Sequence, residues 1–328
     1  MRAIAPGRVN LIGDHTDYTG GLVFPMAIDR YTTIDFQYSP LQVSLTSNDM
    51  DGTVAFTVND DFTFATQPAW GRYVSATASL IDSPLGITGN ISTTIPVGAG
   101  LSSSAALEIA SALAMGCSLP ARDLALLTQR AENLATGVPT GIMDQLCIAS
   151  AKEGHGTLID CHTLTVQHIV IPTDVKFVVR FIAHRTLVGS EYSDRVAQCA
   201  AAEEIIGPLR DASLSDVQTI SDPVIAARAK HVISENARVV QFADALQQGD
   251  YIRAGALMID SHHSVAADFA TSTAQMDDAV RELCAIPGVY GARMTGGGFG
   301  GCIVAMCAPD TNIDGWHVQP VGAAHVVN

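Results

Sequence analysis

Nine residues, Pro96-Val97-Gly98-Ala99-Gly100-Leu101-Ser102-Ser103-Ser104, constrain this chain more than any other stretch. Before them, Ile87–Ile95 alternates Thr and Ile and reads as a strand. After them, Ala105 to Met115 is too rich in Ala, Leu and Ile for a surface helix. Strand, Gly/Ser loop and buried helix in that order bring a helix N-terminus to the end of a sheet. The first N–H groups of a helix have no internal partner and its dipole is positive there, so an anion fits. The glycines permit close backbone approach, and a serine hydroxyl can donate to a phosphate or ligate Mg²⁺. The segment lacks both the Gly-Lys-Ser/Thr ending of a Walker A loop and the spacing of a dinucleotide fingerprint. On composition alone it could be a flexible linker; its position between strand and helix favours a phosphate cradle.

The rest of the chain places that cradle in a mixed α+β architecture. Short β-rich segments, Leu22–Ala27, Tyr31–Phe36 and Val54–Val58, precede a helical stretch from Trp70 to Ile81. Helical spacing over 121–136 and 141–150 leads into strands at 156–160, 165–171 and 176–182. Residues 190–285 read as a run of helices with Ala-rich apolar faces, broken near Gly207-Pro208, Asp222-Pro223 and Gly249. Strands return at 289–294 and 302–307, flanking a segment in which five of six residues, Gly296 to Gly301, are glycine. Such a run is costly in chain entropy unless backbones must approach closely; a tight hairpin between core strands is the plain alternative. A last strand is expected over Ala323–Val327. At 328 residues the chain is long enough for two domains, here set at 1–170 and 171–328.

Composition removes several function classes. With 18 basic against 33 acidic residues the formal charge is −15, and no basic cluster stands out, so a nucleic-acid partner is not expected. No uncharged apolar run reaches the roughly 18 residues of a spanning helix, and the N-terminus has no signal-peptide core, so neither a membrane nor export is expected. The cysteines, 117, 147, 161, 199, 284, 302 and 307, are odd in number and scattered without a Cys-x-x-Cys pair. They support neither a disulfide framework nor a zinc site and suit a reducing cytoplasm.

Two polar features stand near the apolar segments. Arg8-Val9-Asn10-Leu11-Ile12-Gly13-Asp14-His15-Thr16-Asp17-Tyr18 offers alternating carboxylate, imidazole and hydroxyl groups, which could bind a polyol because sugar hydroxyls need both donors and acceptors. Asp14, His15 and Asp17 could also be metal ligands, but near-contiguity makes that awkward; a solvated acidic turn is the dull alternative. Gly141-Ile142-Met143-Asp144-Gln145 places one carboxylate in an apolar helical start. A buried acid needs a partner or a job, and Arg8 is a natural partner, although Asp144 could simply cap the helix. Glu132 adds a carboxylate that could reach a metal at the phosphate loop.

Taken together, these segments resemble the galactokinase branch of the GHMP small-molecule kinases. Gly7 to Tyr18 is similar to the galactokinase signature, Gly98–Ala106 to the superfamily's ATP-phosphate motif, and Gly291-Ala292-Arg293-Met294-Thr295-Gly296-Gly297-Gly298-Phe299-Gly300-Gly301-Cys302 to its third motif. Gly141–Gln145 and Ser190-Glu191-Tyr192 fit as well, in family order. The resemblance implies a ribosomal-S5-domain-2-like N-terminal domain and a ferredoxin-like C-terminal domain with the active site between them. It also implies transfer of the ATP γ-phosphoryl group to the anomeric hydroxyl of a hexose. On that pattern Asp144 is the base and Arg8 its partner, while Gly98, Ala99, Gly100, Leu101, Ser102, Ser103 and Ser104 wrap the triphosphate. Ser104 and Glu132 match Mg²⁺ ligand positions, and Trp70 matches an aromatic near the adenine. Asp14, His15, Thr16, Asp17, Gly141 and Tyr192 fall at sugar-binding positions.

This chain departs from the pattern in places. It has Asp14 where the family usually carries Glu, whose carboxylate reaches toward the C6 hydroxyl. Arg180-Phe181-Ile182-Ala183 replaces an Asn/Ser-rich strand end, and Arg195 is followed by Val196 rather than a second arginine. The chain begins six residues before Gly7, a shorter lead than the family's. The expected activity is that of a galactokinase acting as a monomer on small molecules. The rival readings are another sugar 1-kinase, taking N-acetylgalactosamine, galacturonate or a related sugar, and a sensor that binds galactose and ATP without turnover. The intact Ser102-Ser103-Ser104-Ala105 argues against the sensor.

Overall fold

A computed structural model describes residues 1–58, 68–184 and 191–328. The N-terminal part carries β1 (Arg2–Asn10), β2 (Leu22–Val23), β3 (Pro25–Ser39), β4 (Gln42–Ser47), β5 (Thr53–Thr57), α1 (Gly71–Leu80) and β6 (Gly86–Thr93). Then follow α2 (Ser103–Ala114), α3 (Ala121–Thr136), α4 (Met143–Ser150), β7 (His155–Asp160) and β8 (Thr165–Val170). The C-terminal part runs β9 (Lys176–Ala183), α5 (Glu191–Ile206), α6 (Pro223–Gln247), α7 (Tyr251–Ser264) and α8 (Ala274–Cys284). It ends in β10 (Val289–Thr295), β11 (Gly301–Cys307), β12 (Trp316–Val318) and β13 (His325–Val327).

A sheet in the order β13-β1-β3-β6-β4-β5 forms the floor of the first part, and α2 packs on β1 and β3. Nine of the twelve α2 residues are buried, as its composition required. The second sheet runs β10-β11-β9-β12, with α7 and α8 against β10. Its strand β11, Gly301–Cys307, is buried at every residue and reads as one unbroken apolar run because it lies between two neighbours and under helices. A small third sheet, β2-β7-β8, completes the layers.

Three departures from the sequence expectation have local causes. The expected segments Leu22–Ala27 and Tyr31–Phe36 belong largely to the single long strand β3. Residues 2–10 form β1, although Pro6 and Gly7 interrupt the pattern; the β1–β3 register shifts between Pro6 and Gly7, where a bulge absorbs the mismatch. The short strands β4 and β12 lie outside the expected segments, and β13 returns to pair with β1, Arg2 opposite Val327. The remaining elements fall within a few residues of expectation.

Candidate active site

The phosphate-loop segment lies on β1. The Arg8 N–H donates to Leu101 O at 3.2 Å, and a Cβ on Gly7 would meet that same carbonyl at 2.8 Å. Left-handed backbone at Gly98 (φ +77°), Gly100 (φ +75°) and Ser102 (φ +64°) folds the loop onto the N-terminus of α2. The Gly-rich hairpin between β10 and β11 backs it from the far side: a Cβ on Gly296 would lie 3.1 Å from Gly100 O, and one on Gly301 3.0 Å from Ala99 O. Thr295 locks the hairpin to β1, its Oγ1 donating to Asn10 O at 2.9 Å and accepting from the Asn10 N–H at 3.0 Å.

A cavity of about 690 Å³ opens between these pieces. Asp144, in the first turn of α4, faces it. Arg8 Nε donates to Asp144 Oδ1 at 2.7 Å, with Nη2 2.6 Å from the same oxygen, and Nη1 donates to Gly100 O at 2.7 Å. Ser102 Oγ donates to Asp144 Oδ2 at 2.6 Å. Burial alone would lower the Arg8 pKa; the Asp144 carboxylate outweighs it and holds the guanidinium above its usual value.

At the loop end of the cavity, Ser104 Oγ donates to Glu132 Oε1 at 2.8 Å. Glu132 Oε2 accepts from Gln145 Nε2 at 2.7 Å, and the same amide reaches Glu108 Oε2 at 3.2 Å. Burial first, then neighbouring carboxylates, raise both acids: Glu132 beside Asp144, and Glu108 beside Glu132. Such a site gains from added positive charge. Two hard oxygen donors, Ser104 Oγ and Glu132 Oε1, therefore fit a Mg²⁺ that keeps its other ligands from phosphate and water.

Asp17 and Gly141 meet at the opposite wall. A Cβ on Gly141 would fall 1.7 Å from Asp17 Oδ2, so only glycine lets the two segments touch. Burial, with Asp144 close by, pushes the Asp17 carboxyl up to about 7. His15 lines the same wall; its Nδ1 is 3.1 Å from Tyr18 Oη, and its ring packs 4.5 Å from Phe269 and 5.8 Å from Tyr192. Asp14, almost wholly buried, is held from three sides. Its Oδ1 accepts from Asn10 Nδ2 at 2.7 Å and from the Gly296 N–H at 3.2 Å, and its Oδ2 lies 2.7 Å from Arg293 Nη1. Behind it, Arg293 sits 3.7 Å from Glu235. Burial alone would raise the Glu235 acid, but Arg293, His231 and Arg238 hold it at about 2.

The residues singled out in the sequence thus converge, with distinctions. Arg8, Asp14, His15, Asp17, Gly98, Gly100, Ser102, Ser103, Ser104, Glu132, Gly141, Asp144, Tyr192 and Trp70 line the cavity. Trp70 is nearly buried and donates its indole N–H to Asp51 O at 3.0 Å. Ala99 and Leu101 turn into the core, and Thr16 Oγ1 is spent on Leu22 O at 2.6 Å and Gly13 O at 3.0 Å. Ser190 falls outside the described residues. Glu108 and Glu235 join the site from outside every motif, and Gln145 and Arg293 stand within motifs without a role of their own. A lone carboxylate in the apolar run Ala105 to Met115 was the signal for Glu108; for Glu235 there was none.

An anion-ready helix N-terminus, an arginine-bound carboxylate beside it and a glycine hairpin from the second domain define a small-molecule kinase of the two-domain α+β GHMP type. Family patterns agree: the GHMP kinase N-terminal domain matches residues 72–152, the GHMP kinase C-terminal domain 242–314, and the galactokinase galactose-binding signature 1–37. A galactokinase of Chloroflexus aggregans is 41% identical, the match covering 93% of this chain and 83% of that one. That of Chloroflexus aurantiacus is 40% identical, over 99% and 86%. The crystal structure of Lactococcus lactis galactokinase complexed with galactose superposes with a TM-score of 0.91 at 28% identity, covering 99% of this chain and 94% of that one. Methanococcus jannaschii mevalonate kinase, at 19% identity and a TM-score of 0.73, shares the fold. The chain belongs to the galactokinase family, and ATP-dependent phosphoryl transfer is its class of chemistry.

Proposed function

We propose that this enzyme transfers the γ-phosphoryl group of Mg-ATP to the C1 hydroxyl of α-D-galactose, giving α-D-galactose 1-phosphate and ADP. The observation that carries the reading is the Asp144 carboxylate, fixed by Arg8 and Ser102 in one cavity with both the phosphate loop and the sugar-signature residues. Asp144 takes the C1 hydroxyl proton, the freed oxygen bonds to the γ-phosphorus, the bond from that phosphorus to the β–γ bridging oxygen breaks, and ADP leaves. A carboxylate is a weak base toward an alcohol, so the proton moves late in a loose transition state. Arg8 and the N–H groups at the start of α2 offset the charge that develops. Ser104 and Glu132 hold Mg²⁺, which when bound neutralises phosphate charge. His15, Asp17, Gly141 and Tyr192 bind the sugar, and Trp70 lies against the adenine.

The wider reading is a cytoplasmic monomer that takes small molecules only, its parts dividing near residue 171. All seven cysteines are free, and among the described residues no helix is long and apolar enough to cross a membrane. The charge of −15 disfavours nucleic acid.

A second reading draws support from Asp14, whose two oxygens are already engaged by Asn10, Gly296 and Arg293. Asp14 is also almost wholly buried and paired with Arg293 behind it, so it offers little to a sugar hydroxyl, which favours a substrate altered at C6. A coupled ADP-release assay over galactose, 2-deoxygalactose, fucose, galacturonate, N-acetylgalactosamine, glucose and mevalonate separates the two. Fastest turnover on galactose with glucose refused supports the first; preference for fucose or galacturonate moves the substrate and keeps the mechanism. Asp144→Asn should abolish turnover and leave ATP affinity within a few fold; more than ~10% residual rate removes Asp144 as the base.

A further inference from the structure

Ser102 stands immediately before α2 in a left-handed backbone, φ +64°. The same loop uses glycine at its other left-handed positions, Gly98 and Gly100, where no Cβ resists that conformation. A serine here is strained, and something must hold it. The ordinary reason for serine in front of a helix is that its oxygen accepts from a first-turn N–H, and Ser102 makes no such bond. Its hydroxyl goes instead to Asp144 Oδ2 at 2.6 Å.

That bond completes a count. A carboxylate has about four acceptor positions, two on each oxygen. Arg8 donates to Oδ1 from Nε at 2.7 Å and crowds the same oxygen with Nη2, an ion pair at 2.6 Å, and Ser102 takes one position on Oδ2. With the guanidinium packed against Oδ1, the uncrowded position is the second one on Oδ2, and the plane of the carboxylate is fixed by donors on both oxygens. We infer that Ser102 is a positioning residue for the base: its hydroxyl, held by a strained backbone, aims the free acceptor position on Oδ2 of Asp144 at the incoming sugar hydroxyl. This rests on the reading of Asp144 as the base, and it gives Ser102 a role distinct from gripping the triphosphate.

The test compares Ser102→Gly and Ser102→Ala with wild type in melting temperature, ATP affinity by calorimetry, and kcat and KM for galactose. Glycine suits the backbone, so Ser102→Gly should melt at or above wild type and above Ser102→Ala. Both variants should lose kcat about tenfold, to similar extents, with ATP affinity and the galactose KM within about twofold. Wild-type kcat in Ser102→Gly overturns the inference, showing that the hydroxyl orients nothing that matters. A fall in ATP affinity that accounts for the lost rate also overturns it, returning Ser102 to the phosphates. An active Asp144→Asn enzyme removes the underlying reading instead, so the two failures are distinguishable.

Discussion

Gly141 lies flat against the carboxylate of Asp17, so close that a single methyl group at 141 would sit 1.7 Å from Oδ2. The contact joins the turn after β1 to the entry of α4, whose first turn carries Asp144. Gly141→Ala must therefore displace Asp17. The sugar KM should rise at least tenfold while the ATP KM changes less than about twofold. Steady-state kinetics with each substrate varied in turn will check this; an unchanged sugar KM would place Asp17 outside the sugar site.

The same carboxylate ties stability to pH. Folded Asp17 titrates at about 7, because of burial and the neighbouring Asp144, against roughly 4 in an unfolded chain. Between those values the folded state binds more protons than the unfolded state, so this group's contribution falls as pH rises from about 4 to about 7. Asp17→Asn removes the dependence. Without ligands, the variant should melt close to wild type near pH 4.5 and progressively above it toward pH 8. A melting difference that stays constant across that range would show that Asp17 does not titrate in it.

Gln145 holds Glu132 Oε2 at 2.7 Å from a fully buried position. Residues that orient a metal ligand typically affect metal affinity ten- to a hundredfold. Gln145→Leu should raise the Mg²⁺ concentration giving half-maximal rate about tenfold, and should weaken Mn²⁺ binding to the ADP complex, followed by electron paramagnetic resonance. Unaltered Mn²⁺ binding would leave Glu132 oriented by Ser104 and Thr140.

Arg293 is wholly buried between Asp14 and Glu235. Breaking a buried ion pair from one side leaves an uncompensated charge and costs about 3–5 kcal/mol. Arg293→Met should show a loss of that size in urea unfolding, and the added Asp14→Asn change should recover part of it. If the double variant is less stable than the single, Asp14 is held by Asn10 and Gly296 rather than by charge.

Much of this was legible because it is local. The phosphate loop, α2 and the β10–β11 hairpin each announce themselves by glycine spacing or apolar run length, and α3 matches the expected 121–136. Strand β1 was hidden by Pro6, Gly7 and two arginines, which read as breakers until a bulge and neighbours on both sides accommodate them. In the site, Arg8 and Asp144 were a reasonable pair on charge alone, although 136 positions apart. The Ser102–Asp144 bond was not legible, since it depends on a backbone angle that composition cannot reveal. Nor was the Asp14–Arg293–Glu235 chain: Asp14 reads as a sugar or metal ligand and Arg293 as part of a glycine-rich motif, and only tertiary packing brings them together with Glu235 away from water.

The contact of Gly296 with Gly100 carries a consequence for how damage to this enzyme should be read. The shape of the phosphate loop is dictated from nearly two hundred residues downstream, by a hairpin pressed against its carbonyls. A side chain introduced at Gly296 would therefore act as a lesion in the loop although no loop residue had changed.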